Sequence, residues 1–578
     1  MDDTAAAGGR MGALGRRRLA RGGAGRGRPR RRGVPLGAAV VAGVLALGGT
    51  AVAAPASPAA RQAASRQAAS RQVAPQQVAS RQVARRHVAH AARGGTLTVL
   101  EGAANVTWPD GLNPLTNENA EADQTIEDAV FGELFELGAG GTTIPDLASG
   151  YHLSKDGKTL VIDVRKGVTF SDGTRFDAQA VAFNFRKDLA SSCTCKPTWQ
   201  VAAIGTPGPY TVVIHLKVAD GAIINQFQDS IANWMVSPTA LARESATAFA
   251  SKPVGAGPFV VVSNTPSSRI VLRRNPHYWQ PGHPYLDGLV FEDTANDESA
   301  LEDLKSGTGG AYEAMATPSL VPAFRQAGLT VTAMPSTSPY AVQLNTLAPP
   351  FDRLAAREAI YYATNAALLD RKLNSDAFPV TQSFTAPTGL FYEPKVPGYR
   401  TYDLAEAKAL VRQLGGLQFT LLAGAGYQQN LAEALQAMWQ QAGMKVTLSI
   451  VTLSQLIQDL QSHQWDMTLA TIGTFDPAGS FGLAFRYLGG FPFSGVDDPH
   501  LDALMAAGEQ SVAPAARARI YREIAAYVSQ KAYSPFLYPG ASWNVAAKGV
   551  QGPGLTSVLP VTALAPEIPW EDVSVHNG

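Results

Sequence analysis

Side chains able to do covalent chemistry are sparse in this sequence and poorly spaced for it. Of nine histidines in 578 residues, those at 152, 215, 277, 283, 463, 500 and 576 are scattered, without the separations that build a metal site. The nearest approach to a G-x-S-x-G nucleophile elbow is Gly540-Ala541-Ser542-Trp543-Asn544, which ends in asparagine. Neither H-E-x-x-H nor G-x-x-x-x-G-K-[ST] occurs, so a zincin signature and a Walker-type phosphate loop are both absent. The only cysteines, Cys193 and Cys195, lie in the polar stretch SSCTCKP with no histidine or third thiol nearby. They read as a structural pair, with a tight disulfide open to them in an oxidising compartment. Carboxylates are plentiful and could pair in space as in a glycosidase, and hydrolysis survives only at that level. No cofactor is expected.

The elements around these residues alternate between strand-like and helix-like from Gly94 onward. TLTVLEG reads as a strand, and residues 126–137 place Ile126, Val130, Leu134 and Leu137 on one helical stripe. Residues 158–176 look like two β segments around Lys166-Gly167, closed by an Asp172-Gly173 turn. YDLAEAKALVRQLGG carries a capping box, Asp403 with Glu406, and a Gly415 stop. Between Gly416 and Gly473 the order is strand (LQFTLLA), helix (QNLAEALQAMWQQAG), strand (KVTLSIV), helix (LSQLIQDLQS), strand (DMTLATI). Such β-α-β-α-β order predicts a parallel sheet covered by helices, with ligands beyond the carboxyl ends of the strands. Attention therefore falls on the loop at residues 473–479.

Charge is segregated along the chain. Residues 1–93 hold 17 arginines, no lysine and two acids, whereas the remainder holds 31 basic against 45 acidic groups. A body this acidic excludes non-specific nucleic-acid binding. At 46% hydrophobic and 16% charged, the chain can bury sizeable cores. The basic head precedes an apolar run at 34–54 that ends in small residues, with Ala51 and Ala53 forming an A-x-A site. Residues 1–53 are therefore expected to be a secretory signal peptide. The 21-residue run is also long enough to be retained as an anchor. No cysteine stands near the cleavage point, so no lipobox is available there. Residues 54–93 follow as a linker whose pentads (RQAAS, RQAAS, RQVAP, QQVAS, RQVAR, RHVAH) have neither helical nor strand period nor bulk to bury.

Four segments in order resemble the extracytoplasmic solute-binding proteins, family 5, the peptide/nickel-binding components of ABC importers. They are IPDLASGYHLSKDGKTLVIDVRKGVTFSDGTRFDAQAVAFNFRK (144–187), KPVGAGPFVV with RRNPHYWQPGHPYLDGLVF (252–261 and 273–291), LNTLAPPFDRLAAREAIYYATN (344–365), and FSGVDDPHLDALMAAGEQ with ARIYREIAAYVSQKAYSPFLY (493–510 and 518–538). The resemblance implies an α/β, two-lobed periplasmic-binding-protein-like fold (type II, cluster C-like) with an extra subdomain in the first lobe. Lobe one would span 94–335, with the subdomain at about 141–252; lobe two would span 336–525, and 526–578 would return to lobe one. It implies capture of a small solute, an oligopeptide first among the candidates, lobe closure and delivery to a membrane permease, by a monomeric extracytoplasmic protein that is no enzyme.

Ligand contacts implied by the resemblance are Trp108 and Asn113, Tyr340, Gln343 and Asn345, and Thr474, Phe475 and Asp476. Aromatic walls supply area, while amides and an acid fix orientation. Asp172, Gly173, Pro258, Asn275, Pro276, Tyr278 and Trp279 are expected to be scaffold, and Trp234 and Trp543 core. Peptide-binding members often carry an Asp a few residues before the "D-P" of the post-strand loop, to hold the peptide ammonium. Here the position three before that "D-P" match is Gly473, which leaves Asp476 as substitute or as a turn former. The rival classes are a secreted carboxylate hydrolase and an envelope-associated binding or signalling module without transport.

Overall fold

The computed structural model describes residues 92–576 apart from 103–110, 118–123, 139–141, 194, 316, 425, 471–473, 480–481, 492 and 562–567. The basic leader, the apolar run, the pentads, Trp108 and Gly473 lie outside the described residues.

Ten strands join one mixed sheet in the order Lys445–Val451, Gln418–Gly424, Met467–Ala470, Thr330–Leu344, Phe536–Ala546, Ala311–Met315, Thr96–Gly102, Gly288–Thr294, Arg269–Arg274 and Phe259–Thr265. At one end Gln418–Gly424 runs parallel to both its neighbours. Helices Tyr427–Gln441 and Leu453–Gln461 form the crossovers, as the alternation of patterns predicts. Leu431, Leu435, Met438 and Trp439 line one side of the longer helix and bury against Phe419 and Leu421 of the sheet. At the other end Thr96–Gly102 lies parallel to Gly288–Thr294 and Ala311–Met315.

Two long antiparallel strands connect these halves. Thr330–Leu344 and Phe536–Ala546 pair from Thr330↔Ala546 to Ala341↔Phe536. One end of the pair continues through Tyr312↔Val545 and the other through Ala341↔Ala470. The ladder shifts register at Pro335 and Pro339, the latter opposite Pro539, because proline has no N–H to contribute. In the gap the Thr337 N–H turns to the Val561 carbonyl, and the Val561 N–H to the Pro335 carbonyl, each at 3.0 Å. The chain thus passes between the halves where the ladder is most interrupted. A separate four-stranded antiparallel sheet, Ala148–Leu153, Thr159–Val164, Thr211–Leu216 and Val201–Gly208, packs Leu160, Ile162, Val212 and Ile214 against Phe185 of helix Ala178–Asp188.

Two local expectations are corrected. The single helix at 126–137 is instead Gln124–Phe131 followed by strand Phe135–Gly138, which pairs with Thr142–Pro145. Gly132 breaks it with a φ of 65°, on a site where a Cβ would meet the Gly257 backbone at 3.2 Å. Ile126 and Val130 enter one core and Leu134 another, so a single 3.6-residue pattern serves two elements. The second β segment of 158–176 shrinks to one bridge, Thr169↔Arg175, around the Asp172-Gly173 turn. Cys193 and Cys195 form a disulfide, buried in the core that holds Phe131 and Trp234.

Helix Leu404–Gln413 starts as its sequence predicts, with the Asp403 carboxylate accepting the Ala405 and Glu406 N–H groups at 2.9 and 3.1 Å. The Asp403 N–H, however, goes to the Tyr362 carbonyl at 2.9 Å, so a tertiary bond replaces the second half of the capping box. Asp403→Ala should cost about 1 kcal/mol, read as a lowered urea midpoint at unchanged slope.

Candidate ligand-binding cleft

The loop after strand Met467–Ala470 is held from two directions. The Phe475 N–H donates to both carboxylate oxygens of Asp229, at 3.0 and 2.9 Å. Asp476 meets Arg517 in a two-pronged ion pair at 2.6 and 2.8 Å. The Asn225 amide adds a bond to the same carboxylate at 2.9 Å, and the Ala478 N–H another at 3.1 Å. Asp476 is 0% and Arg517 3% exposed, so the pair is desolvated. Burial works against the Arg517 charge, but the Asp476 carboxylate outweighs it and holds the guanidinium above its ordinary pKa. The Thr337 hydroxyl, from the crossing strand, donates to the Thr474 carbonyl at 2.9 Å.

Asn225 and Asp229 belong to the 3-10 turn Asn225–Asp229, which follows the four-stranded sheet in the chain. That turn and the 474–479 loop therefore form a direct contact, extended by a bond from the Gln226 amide to the Ala478 carbonyl at 3.3 Å. Glycine suits the close approach here, since a Cβ on Gly479 would crowd Asp229 Oδ2 at 3.0 Å. Two cavities of about 10 Å³ border the contact, each with room for about one water. Asp229, Ser230 and Trp234 line the first; Ser338, Thr385, Thr474 and Arg486 line the second.

The other singled-out residues are spread over several surroundings. Tyr340 lies on the crossing strand with its ring 5.3 Å from Tyr427 and 6.1 Å from Tyr538. Gln343 and Asn345 sit farther along. The Gln343 amide donates to the Phe493 carbonyl at 3.1 Å, while its Oε1 is buried without a partner among the described residues. Asn345 ties the strand end to the Trp465 carbonyl at 2.8 Å and to the Leu347 N–H at 3.1 Å. Asn113 is buried and accepts the Leu115 N–H at 3.2 Å. Trp234 donates its indole N–H to Asp128 at 2.7 Å, and Trp543 packs on Phe378 at 5.9 Å.

A second acidic group went unnoticed in the sequence. Glu101 and Glu313 stand in register on adjacent parallel strands, with Asp128 of helix Gln124–Phe131 near Glu313. The Thr125 hydroxyl donates to Glu313 at 3.3 Å. Burial pushes Asp128 up to about 8, against the Trp234 bond, and pushes Glu313 up to about 8 with the Asp128 charge adding to it.

Residues 142–490 match the family model of bacterial extracellular solute-binding proteins, family 5 (middle). The chain belongs to this family. Family 5 proteins are extracytoplasmic, bind peptide or small-molecule ligands and deliver them to ABC permeases. Over 374 residues the chain is 28% identical to the glutathione-binding protein GsiB of Escherichia coli O6:K15:H31, covering 62% of this chain and 72% of that one. Its fold is similar to that of the ABC transporter-associated periplasmic binding protein DppA from Helicobacter pylori in complex with the peptide STSA, at TM-score 0.69 and 19% identity over 84% of this chain and 99% of that one. NikZ from Campylobacter jejuni in complex with Ni(L-His) gives TM-score 0.70 and 18% identity over 83% and 99%. These likenesses establish the two-lobed periplasmic-binding-protein fold. Among the described residues of this family 5 protein, no helix is long and apolar enough to cross a membrane.

Sequence reasoning passed over Arg517, Asn225 and Asp229. Arg517 carried one legible signal: it shares the apolar stripe of helix Pro514–Gln530 with Ile520, Tyr521, Ile524 and Val528, and an arginine on a buried stripe needs an anion. Asn225 and Asp229 are 251 and 246 residues from their partners, and no local pattern relates them.

Proposed function

We propose that this family 5 protein captures an oligopeptide or peptide-like solute between lobes formed by residues 94–335 and 336–525, with 526–578 returning to the first. Residues 1–53 would direct its export, and a membrane permease would receive the ligand. The observation that carries the ligand class is the extended match to glutathione-binding relatives, glutathione being a short peptide. Trp108, Asn113, Tyr340, Gln343 and Thr474 are the proposed ligand contacts. Asn345, Phe475 and Asp476 are proposed to shape the site, since their polar groups are engaged within the protein. With both Asp476 oxygens on Arg517, the peptide ammonium has no strong claim on that acid, and backbone groups take a larger share of recognition.

The test is a thermal-shift titration of the purified protein, refolded from denaturant to strip carried ligand. Its panel holds glutathione, di- to octapeptides, oligosaccharides and nickel–histidine chelates. A peptide at 100 times its Kd should stabilise the fold by about 2.7 kcal/mol. Capping its amine by N-acetylation should change that shift little. Stabilisation by a sugar or chelate, with silence from every peptide and from glutathione, would overturn the peptide assignment.

A further inference from the structure

The contact between residues 220–229 and the 474–479 loop is unusually rich in acids. Asp220 and Asp229 stand on one side; Asp476 and Glu509 stand on the other, with Arg517 as the cation among them. Tyr521, bonded to Arg517 at 3.2 Å, also faces the cluster, and the turn carrying Asp156 and Lys158 packs on Asp220 through the Gly157 carbonyl, which accepts the Asp220 N–H at 3.0 Å. Asp220, Asp229 and Asp476 are all buried. Residues 220–229 also touch the end of helix Pro499–Gln510, where the Gly221 N–H donates to the Glu509 carbonyl at 2.7 Å, beside Ser511. With every group charged, the first side carries two negative charges and the second a net one, so the sides repel across a poorly hydrated boundary. Each proton taken up removes one of those charges.

We propose that closure of the two lobes is proton-linked, the contact of residues 220–229 with the 474–479 loop forming with a proton held among Asp220, Asp229 and Glu509 and opening when all are charged. The inference rests on the two-lobed capture reading above. Burial, with Glu509 and Asp476 adding to it, pushes Asp220 up to about 7. Burial likewise raises Asp229, and it raises Glu509 with Asp476 as the second cause. In an open form these carboxyls face water and titrate near 4. The closed form therefore holds protons that the open form releases. Closure is favoured fully below about 4 and progressively lost as pH rises through the closed-state value. An acidic exterior would then tighten capture.

The experiment is a spin-label distance measurement on the full chain. Labels go at Lys155→Cys and Lys372→Cys, both exposed and one in each of the two proposed lobes; the native cysteines are tied in their disulfide. Between pH 5.5 and 9 without ligand, the ratio of short to long distances should fall by up to tenfold per pH unit for each linked proton. Asp220→Asn combined with Glu509→Gln should keep the short distance to pH 9. A wild-type distance that ignores pH, or a variant that retains the wild-type profile, overturns the proposal. The two readings fail separately. A distance that follows pH while no peptide stabilises the protein removes only the peptide assignment. Peptide stabilisation with a pH-independent distance removes only the proton link.

Discussion

Replacing Arg517 with methionine is expected to lower the unfolding free energy by about 3–5 kcal/mol. The substitution keeps most of the side chain's apolar volume on the stripe shared with Ile520 and Ile524, so packing changes little. It leaves the Asp476 carboxylate at 0% exposure with, among the described residues, the Asn225 amide and the Ala478 N–H as its remaining donors. An uncompensated buried carboxylate must either protonate or draw in water, and each route costs free energy. Pairing Arg517→Met with Asp476→Leu removes both charges and should recover most of the loss, because a buried ion pair is worth far less than its broken half suggests. Denaturant unfolding of the single and double variants at pH 7 measures both. A single-variant loss below about 1 kcal/mol would mean that the pair is solvated and that the 474–479 loop is held by its other bonds alone.

The second large effect is a pH dependence set by Asp128 and Glu313. Both are pushed up to about 8, chiefly by burial, whereas in the unfolded chain they titrate near 4. The folded protein therefore holds a proton that the unfolded chain has released. The stability tied to that proton is complete below about pH 4 and drains away as pH rises towards 8, at about 1.4 kcal/mol per pH unit for each proton. For one shared proton over three pH units the loss is about 4 kcal/mol. Asp128→Asn with Glu313→Gln retains acceptors for the Trp234 indole and the Thr125 hydroxyl, yet has nothing to ionise. The double variant should match the wild type at pH 4.5 and exceed it by several kcal/mol at pH 8. Parallel wild-type and variant curves from pH 4.5 to 8 would show that these carboxyls are as hydrated when folded as when unfolded. Comparing the two curves isolates this pair from Asp220, Asp229 and Glu509, which both proteins share.

Much of this protein was legible in its sequence wherever a short segment carries its own instructions. The strands and helices between residues 416 and 470 follow from periodicity, and the start of Leu404–Gln413 follows from one aspartate at its cap. The family was legible too, because four segments in order resemble one known family and the family model matches over 142–490. Reading failed where one pattern served two elements. Ile126, Val130 and Leu134 keep helical spacing, yet the helix ends at Phe131 and Gly132 takes a positive φ where Gly257 packs against it. It also failed where a polar side chain's partner lies far along the chain. Asp476-Pro477 reads equally well as a turn or as a ligand anchor, and the decision belongs to Arg517, 41 residues on.

The sequence by itself determined the alternation of strands and helices, the family, and the restriction of strong basic charge to the first 93 residues. These depend on neighbours within a turn or two, or on composition, and no folding is needed to read them. Only the tertiary structure decided that Asp476 belongs to Arg517, that Asp229 reaches the Phe475 N–H, and that Glu101 and Glu313 end side by side. The reason is electrostatic. A carboxylate is cheap and uncommitted in water, and it acquires a partner, a shifted pKa or a role only when the fold removes its water and sets another charge beside it.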